Sequence, residues 1–410
     1  MRAFRLAIFL PIAICALAAN HPDWDQLRRE IKTTLSVPDT LPSIEAKAYG
    51  KFSPAQGVDA DRVSYSTAYE LRVPAIVYHP AGATITRHPA LVIVNGHGGD
   101  KSSWYAYWSG ILYARAGAVV LTYDPIGEYE RNRERRSKTG QHDQIVEPEE
   151  QMARRTAGLM ITDVMQAVSY LLQRPDVDPK RIAVLGYSMG SFVSSVACAT
   201  DTRVHACVLV GGGNLDEPGG RWDTKGKPMC ESLPYQSLKV LGDRGAVIYA
   251  LHAKRGPTFV YNGTADNIVD INHHPGFFED LRKRTVAELG SSKDVFDFAF
   301  QEGTGHAPYF VTKPVALWLE DKLKFPDWTK KQIEQIPETQ ISEWAQANHL
   351  PQDAVSSSEG KLMGLGKDIP AVPRDELHAV PEPVWDSQQD SYIYETWLER
   401  AKAAVTSGAP

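Results

Sequence analysis

Short runs of branched and aromatic residues recur along this chain, separated by longer stretches whose apolar positions repeat every three or four residues. Residues 90–95, 118–123, 181–185, 206–210, 258–262 and 295–301 are apolar over nearly their whole length, as strands buried on both faces of a parallel sheet are. Ahead of them, 62–69 and 71–78 alternate or cluster β-forming residues and predict an antiparallel opening pair. Between the apolar runs, 156–173 carries Ile161, Val164, Met165, Val168, Leu171 and Leu172 on one helical face. Such alternation predicts an α/β chain with a doubly wound, mostly parallel sheet and helices on both faces. The charge-dense segment 128–155 mixes both signs without apolar periodicity and predicts a solvated excursion. Beyond Trp328 the pattern turns polar, with helical stretches at 333–348, a Pro- and Ser-bearing segment to Pro383 and a last helix-like piece at 392–404. This predicts a C-terminal helical extension that packs on the core.

Composition fits one large globular unit: 43% of the 410 residues are hydrophobic and 23% charged. At the N-terminus Arg2 and Arg5 precede an apolar run, 6–17, that closes on Ala16-Leu17-Ala18, the pattern of a cleaved signal peptide. The run is shorter than the roughly 20 residues needed to span a bilayer and contains Pro11, so export to the periplasm or beyond is expected, without stable membrane insertion. The expected division is a signal peptide at 1–18, a core with an N-terminal extension at 19–328, and the extension at 329–410. Losing Arg2 and Arg5 takes the net charge from −6 to −8, which disfavours a nucleic-acid partner. Of the remaining cysteines, Cys198 and Cys207 fit burial as small apolar side chains; with Cys230 they show no paired spacing of a zinc site or disulfide frame. One bridge stays open, with its pairing unreadable.

The chemistry centres on Gly186-Tyr187-Ser188-Met189-Gly190, entered by a strand-like run and left by a small-residue helical run at 191–199. A serine on such a strand–turn–helix is a nucleophile elbow, whose strained turn tolerates only small flanking residues. The hydroxyl needs a histidine to take its proton and a carboxylate to hold that histidine's tautomer. Asp266 and His306 follow in the required order, each just beyond the end of an apolar strand, the edge where ligand sites gather in such sheets. Asp270 is a weaker candidate for the acid, a helical turn too late, and Asp280 lies further still. Asn95-Gly96-His97-Gly98-Gly99 follows another strand and is the loop expected to supply an oxyanion donor; the donors are read as the backbone N–H groups of Met189 and His97, with Gly98 as the alternative. The His97 side chain, with no matching cluster in sight, reads as a hydrogen-bonding loop histidine, and His273-His274 as a structural pair. Trp104 and Trp108, in a run with Tyr105 and Tyr107, and Trp222, in the glycine-rich loop 211–226, are the candidates for lining a substrate pocket. No dinucleotide fingerprint or metal-ligand spacing is present, so neither a metal nor an organic cofactor is expected.

The stretch from about Leu71 to Phe325 resembles an α/β-hydrolase of the dienelactone-hydrolase and acetyl-xylan-esterase type. The resemblance rests on Asn95-Gly96-His97-Gly98-Gly99, Asp124-Pro125-Ile126-Gly127, Val177-Asp178-Pro179-Lys180-Arg181-Ile182, the serine elbow, Asp266 and His306. It implies cofactor-free hydrolysis of an ester or related acyl group, on an acetylated carbohydrate or a small aryl or alkyl ester, and the roles of nucleophile, acid and base for Ser188, Asp266 and His306. Dienelactone hydrolases use a cysteine where Ser188 stands, and glucuronoyl esterases an arginine where Met189 stands. Two rival expectations are a prolyl-peptidase-like serine peptidase and a non-catalytic binding protein that keeps the fold. For the first, about 50 mature residues before the core leave no room for the usual β-propeller, and no blade repeat appears.

Overall fold

The structure is a computed structural model and describes residues 23–82, 87–143, 150–224, 230–270, 274–291 and 295–407. The expected signal segment, 1–18, lies outside the described residues, as does His273.

A nine-stranded sheet organises the chain: β1 (Lys47–Ala55), β2 (Val58–Ser66), β3 (Arg72–Pro80), β4 (His88–Val94), β5 (Val119–Tyr123), β6 (Val177–Tyr187), β7 (Ala206–Val210), β8 (Thr258–Gly263) and β9 (Asp297–Gln301). Their spatial order is β1-β2-β3-β5-β4-β6-β7-β8-β9. The first three strands and the β3–β5 pair run antiparallel, and every pairing from β5 through β9 is parallel. Each apolar run expected as a strand is one, within a few residues at its ends. β1 had no such signal: it is a largely exposed edge strand carrying Lys47 and Lys51, charges that also discourage edge-to-edge pairing.

Helices cover both faces. α1 (Trp24–Thr34), α3 (Glu150–Gln173) and α4 (Met189–Thr200) pack with Val92 and Val184 on one side, and α2 (Trp104–Arg115) and the helix Lys313–Leu323 pack with Leu91 and Ile93 on the other. Successive residues of β4 therefore feed opposite cores, as period-two side chains must.

The start of the charge-dense segment does not lie in solvent. Glu128, Glu130 and Arg131 are fully buried; Glu130 and Arg131 find opposite charges inside, while the Glu128 carboxyl meets Thr139 instead. Lys101 Nζ lies 2.5 Å from both Asp124 Oδ2 and Glu130 Oε2, and Arg131 pairs with buried Asp163 of α3. Alternating signs that look solvated in sequence thus cancel within the fold.

The chain beyond Trp328 lies on these layers. Glu338–Gln340 and Met363–Leu365 form a small antiparallel pair. Trp344 stacks edge-on against Trp108 with ring centroids 4.9 Å apart and donates its Nε1–H to the Ile369 carbonyl. The Glu130 carboxylate accepts the N–H groups of Ala379 and Val380 at 2.7 and 2.9 Å. Trp397, in the last helix, Tyr394–Ser407, is buried in the same core as α3. Cys198, Cys207 and Cys230 are buried free thiols, so the bridge left open by the sequence does not form among them. Among the described residues, no helix is long and apolar enough to cross a membrane.

Candidate active site

β6 delivers the chain into Ser188, which adopts φ 55° and ψ −120° before α4 begins at Met189. A non-glycine residue holds such a conformation only where its surroundings enforce it. Here they do, because a Cβ on Gly186 would collide with the Gly190 carbonyl and one on Gly190 with the Val94 carbonyl. Only glycine on both sides lets β6, α4 and β4 approach so closely, and the serine is pushed above the sheet edge.

The structure brings Ser188, His306 and Asp266 together. His306 Nε2 lies 2.8 Å from Ser188 Oγ, and its Nδ1 lies 2.9 Å from Asp266 Oδ2. Asp266 is 1% exposed, and its other oxygen accepts the N–H groups of Ile268 and Val269 at 2.8 and 3.1 Å. The carboxylate is thereby aimed as well as buried. The histidine loop is tied to the end of β8 by Thr264 N–H to Gln301 O and Ala265 N–H to Thr304 O. Tyr187 leans on the imidazole at 5.1 Å between ring centroids. Asp270 does not face the histidine; it pairs with Arg221.

The loop after β4 comes up beside the serine. A Cβ on Gly96 would lie 3.1 Å from Ser188 Cβ, and Gly99 N–H bonds back to Gly96 O at 3.0 Å. That turn has His97 and Gly98 at its centre, where its closing bond uses neither N–H. Met189, as the first helical residue, has no acceptor within its own helix. Of the three positions read as oxyanion donors, Met189 adjoins the serine in sequence, and His97 and Gly98 belong to the turn that Gly96 brings against it.

Trp104 and Trp108 are corrections. They are 3% and 0% exposed, packed against Trp344 and the C-terminal chain, so they line no pocket at Ser188. Their aromatic run is core because the chain beyond Trp328 roofs α2. Trp222 does lie at the site: with Phe192, Leu215, Arg221, Glu231 and Ile268 it walls a cavity of about 250 Å³ that opens onto Ser188. Its Nε1–H donates to Asn214 O at 2.8 Å, and its ring packs on Tyr235. His274 lies in the wall of an adjoining hollow of about 200 Å³.

A further correction concerns His97, whose side chain is not isolated. One donor atom from each of His97, His142, Asp143 and Cys230 lies within 4.8 Å of every other. His97 Nε2 is 2.8 Å from Asp143 Oδ2, and this hydrogen bond raises the imidazole pKa. Burial pushes the His142 imidazole down to about 4, and the Glu128 carboxyl up to about 8. The four residues stand far apart in sequence, apart from the adjacent His142 and Asp143, so no spacing rule could have gathered them.

Comparison with known proteins agrees with this architecture. The model of the prolyl oligopeptidase family matches residues 104–335, a stretch that contains Ser188, Asp266 and His306. Thiohydrolase apmlB of Arthrinium phaeospermum is 24% identical over 246 residues, which is 57% of this chain and 72% of that protein. Against longer curated relatives, the match takes in as little as 17% of their length. Among solved structures, methylesterase BT1017 superposes with a TM-score of 0.57 at 18% identity, covering 94% of this chain and 76% of that one. The acetyl xylan esterase from Paenibacillus sp. R4 gives 0.51 at 16% identity, covering 74% and 96%. At these identities the likeness is one of fold: both share the α/β-hydrolase architecture.

Proposed function

The chain belongs to the prolyl oligopeptidase family of α/β-hydrolases, and on that premise we propose that it is a serine esterase acting through an acyl-enzyme on an acetylated carbohydrate or a small aryl or alkyl ester. Ser188 is the nucleophile, His306 the base and Asp266 the residue that holds the imidazole. The observation that carries the reading is the unbroken line Asp266 Oδ2, His306 Nδ1, His306 Nε2, Ser188 Oγ, with both links at hydrogen-bond length. Folding alone has no need of that line, which argues against a non-catalytic role.

In the proposed reaction Ser188 Oγ attacks the ester carbonyl as its proton passes to His306 Nε2. The carbonyl oxygen becomes an oxyanion, met by the N–H of Met189 and that of His97 or Gly98. Collapse expels the alcohol, which takes the proton from His306, and leaves the acyl group on Ser188. Water activated by the same imidazole then releases the acid. The cavity beside Ser188 is at the small end for ligand sites and suits an acyl group or one sugar ring.

The family match itself favours a second reading, a serine peptidase, which uses the same line of atoms. We also propose export by the N-terminal signal segment, with no nucleic-acid partner. Fluorophosphonate labelling followed by mass spectrometry tests the nucleophile: the adduct is expected on Ser188 and absent in Ser188→Ala. A panel of acetyl, feruloyl, methyl-uronate and peptide substrates tests the class. Cleavage of the peptides alone would replace esterase by peptidase, and an adduct on another residue would remove Ser188.

A further inference from the structure

We propose that His97, His142, Asp143 and Cys230 form a binding site for a zinc-like divalent cation beside the serine. Two imidazoles, a carboxylate and a thiol are a donor set suited to borderline metals of the zinc class, and unsuited to magnesium or calcium. A tetrahedral zinc shell with bonds of about 2.0–2.3 Å sets its ligand atoms roughly 3.3–3.7 Å apart. The four donor atoms already lie within 4.8 Å of one another, so closing on an ion asks for movements of about 1 Å.

Hydrogen bonding within the cluster does not account for it. The His97–Asp143 contact at 2.8 Å satisfies one nitrogen and one oxygen. His142 is fully buried, and among the described residues a contact to the Ile126 backbone can serve only one of its two ring nitrogens, so the other is left without a partner; the Asp143 carboxylate meets only His97 and the Cys230 thiol of the same cluster. A buried ring nitrogen of this kind calls for a partner, and a cation supplies it while drawing on the Asp143 carboxylate as well. The surroundings favour positive charge. Cys230 Sγ donates to the carboxylate of buried Glu231 at 2.9 Å, and the cluster brings its own carboxylate in Asp143. Binding exchanges the Cys230 thiol proton for the metal–sulfur bond, releasing that proton.

The site would position rather than react. His97 belongs to the turn that borders Ser188, and Cys230 precedes Glu231 and Ser232 in the cavity wall. One ion would therefore tie the loop after β4 to the chain segments at 142–143 and 230, fixing the rim of the active site while the serine chemistry proceeds without it.

The test uses the full chain, stripped with a chelator and then titrated with Zn²⁺ against a chromogenic competitor, and separately with Co²⁺ under anaerobic conditions. One ion per chain is expected, with a cobalt spectrum showing tetrahedral ligand-field bands and a thiolate charge-transfer band. Cys230→Ser should abolish the charge-transfer band, and His142→Ala should weaken zinc binding at least about tenfold. Ser188→Ala should bind as the unsubstituted chain does, which separates this site from the proposed esterase activity. No stoichiometric binding, a cobalt spectrum without thiolate character, or affinity unchanged in both ligand variants would overturn the proposal. Because the cobalt spectrum of the unsubstituted chain decides it alone, a variant that fails to fold leaves the test intact.

Discussion

Replacing Asp266 by Asn probes the proposed machinery with least disturbance of the fold. Asp266 has two tasks on two different oxygens: Oδ1 accepts the N–H groups of Ile268 and Val269, while Oδ2 faces His306 Nδ1. An asparagine can keep its carbonyl oxygen on the two backbone N–H groups, so the loop should persist at a cost of about 1 kcal/mol. Its NH₂ must then face Nδ1 and donate to it. That selects the imidazole tautomer protonated at Nε2, which can only donate toward Ser188 Oγ and cannot take its proton. A comparable substitution in a serine protease lowers turnover by about 10⁴, equivalent to roughly 5.4 kcal/mol of lost transition-state stabilisation. Hydrolysis of an activated acetyl ester, fluorophosphonate labelling rate and thermal unfolding should be measured on one preparation. The expected result is a loss of order 10³–10⁴ in both rates with little change in melting temperature. Asp270→Asn, which releases Arg221 in the cavity wall, should alter substrate affinity and spare the labelling rate. A loss below about tenfold in Asp266→Asn, or an equal loss in Asp270→Asn, would refute the tautomer argument.

Three further outcomes follow from the packing. Trp222→Ala should shift the ratio of long to short acyl substrates, since the ring walls the cavity at Ser188, and should cost less than the roughly 3–5 kcal/mol of a fully buried tryptophan; an unchanged ratio with a collapsed melting temperature would return it to the core. Lys101→Met leaves Asp124 and Glu130 buried without their cation and should cost about 3–5 kcal/mol; denaturant unfolding showing under about 1 kcal/mol would contradict that. Burial holds the His252 imidazole at about 4 against 6.5 when free, so below pH 6.5 the unfolded chain binds a proton that the folded chain refuses until about pH 4. Its share of stability is present above that window and lost as pH falls through it, by about 3 kcal/mol in all; His252→Gln should flatten the acid side of the stability profile, and an unaltered slope would exclude this source.

The parts legible in sequence were those written locally. Ser188, Asp266 and His306 each sit just past a strand with a largely apolar run, so strand ends located them, and the glycines around Ser188 announced the turn. The central parallel strands were visible because both their faces are buried, and the edge strand β9 by its alternating phenylalanines, whereas β1, mostly exposed, carries little pattern. What stayed hidden depends on distant partners. Glu130 and Arg131 look solvated until Lys101 and Asp163 are seen beside them. Trp104 and Trp108 resemble a pocket lining until the chain beyond Trp328 is laid over them. The cluster at His97 needs three chain segments to meet, and the sequence holds no spacing that records their meeting.

Almost every residue of α2, from Trp104 to Ala114, is buried. A helix on the outside of a sheet normally keeps a wet side, and this one keeps none because Trp344, Leu365 and Ile369 close over it. Residues 104–335, the part that looks like a transferable hydrolase, therefore do not make a free-standing unit. Cut there, the chain would present Trp104, Trp108 and Leu112 to water as a sticky stripe and leave Glu130 without two of its hydrogen-bond donors. The same interdependence links the two regions over evolutionary time: polar residues can enter the outer side of α2 only as its roof is withdrawn, so the helix and its cover are bound to drift together.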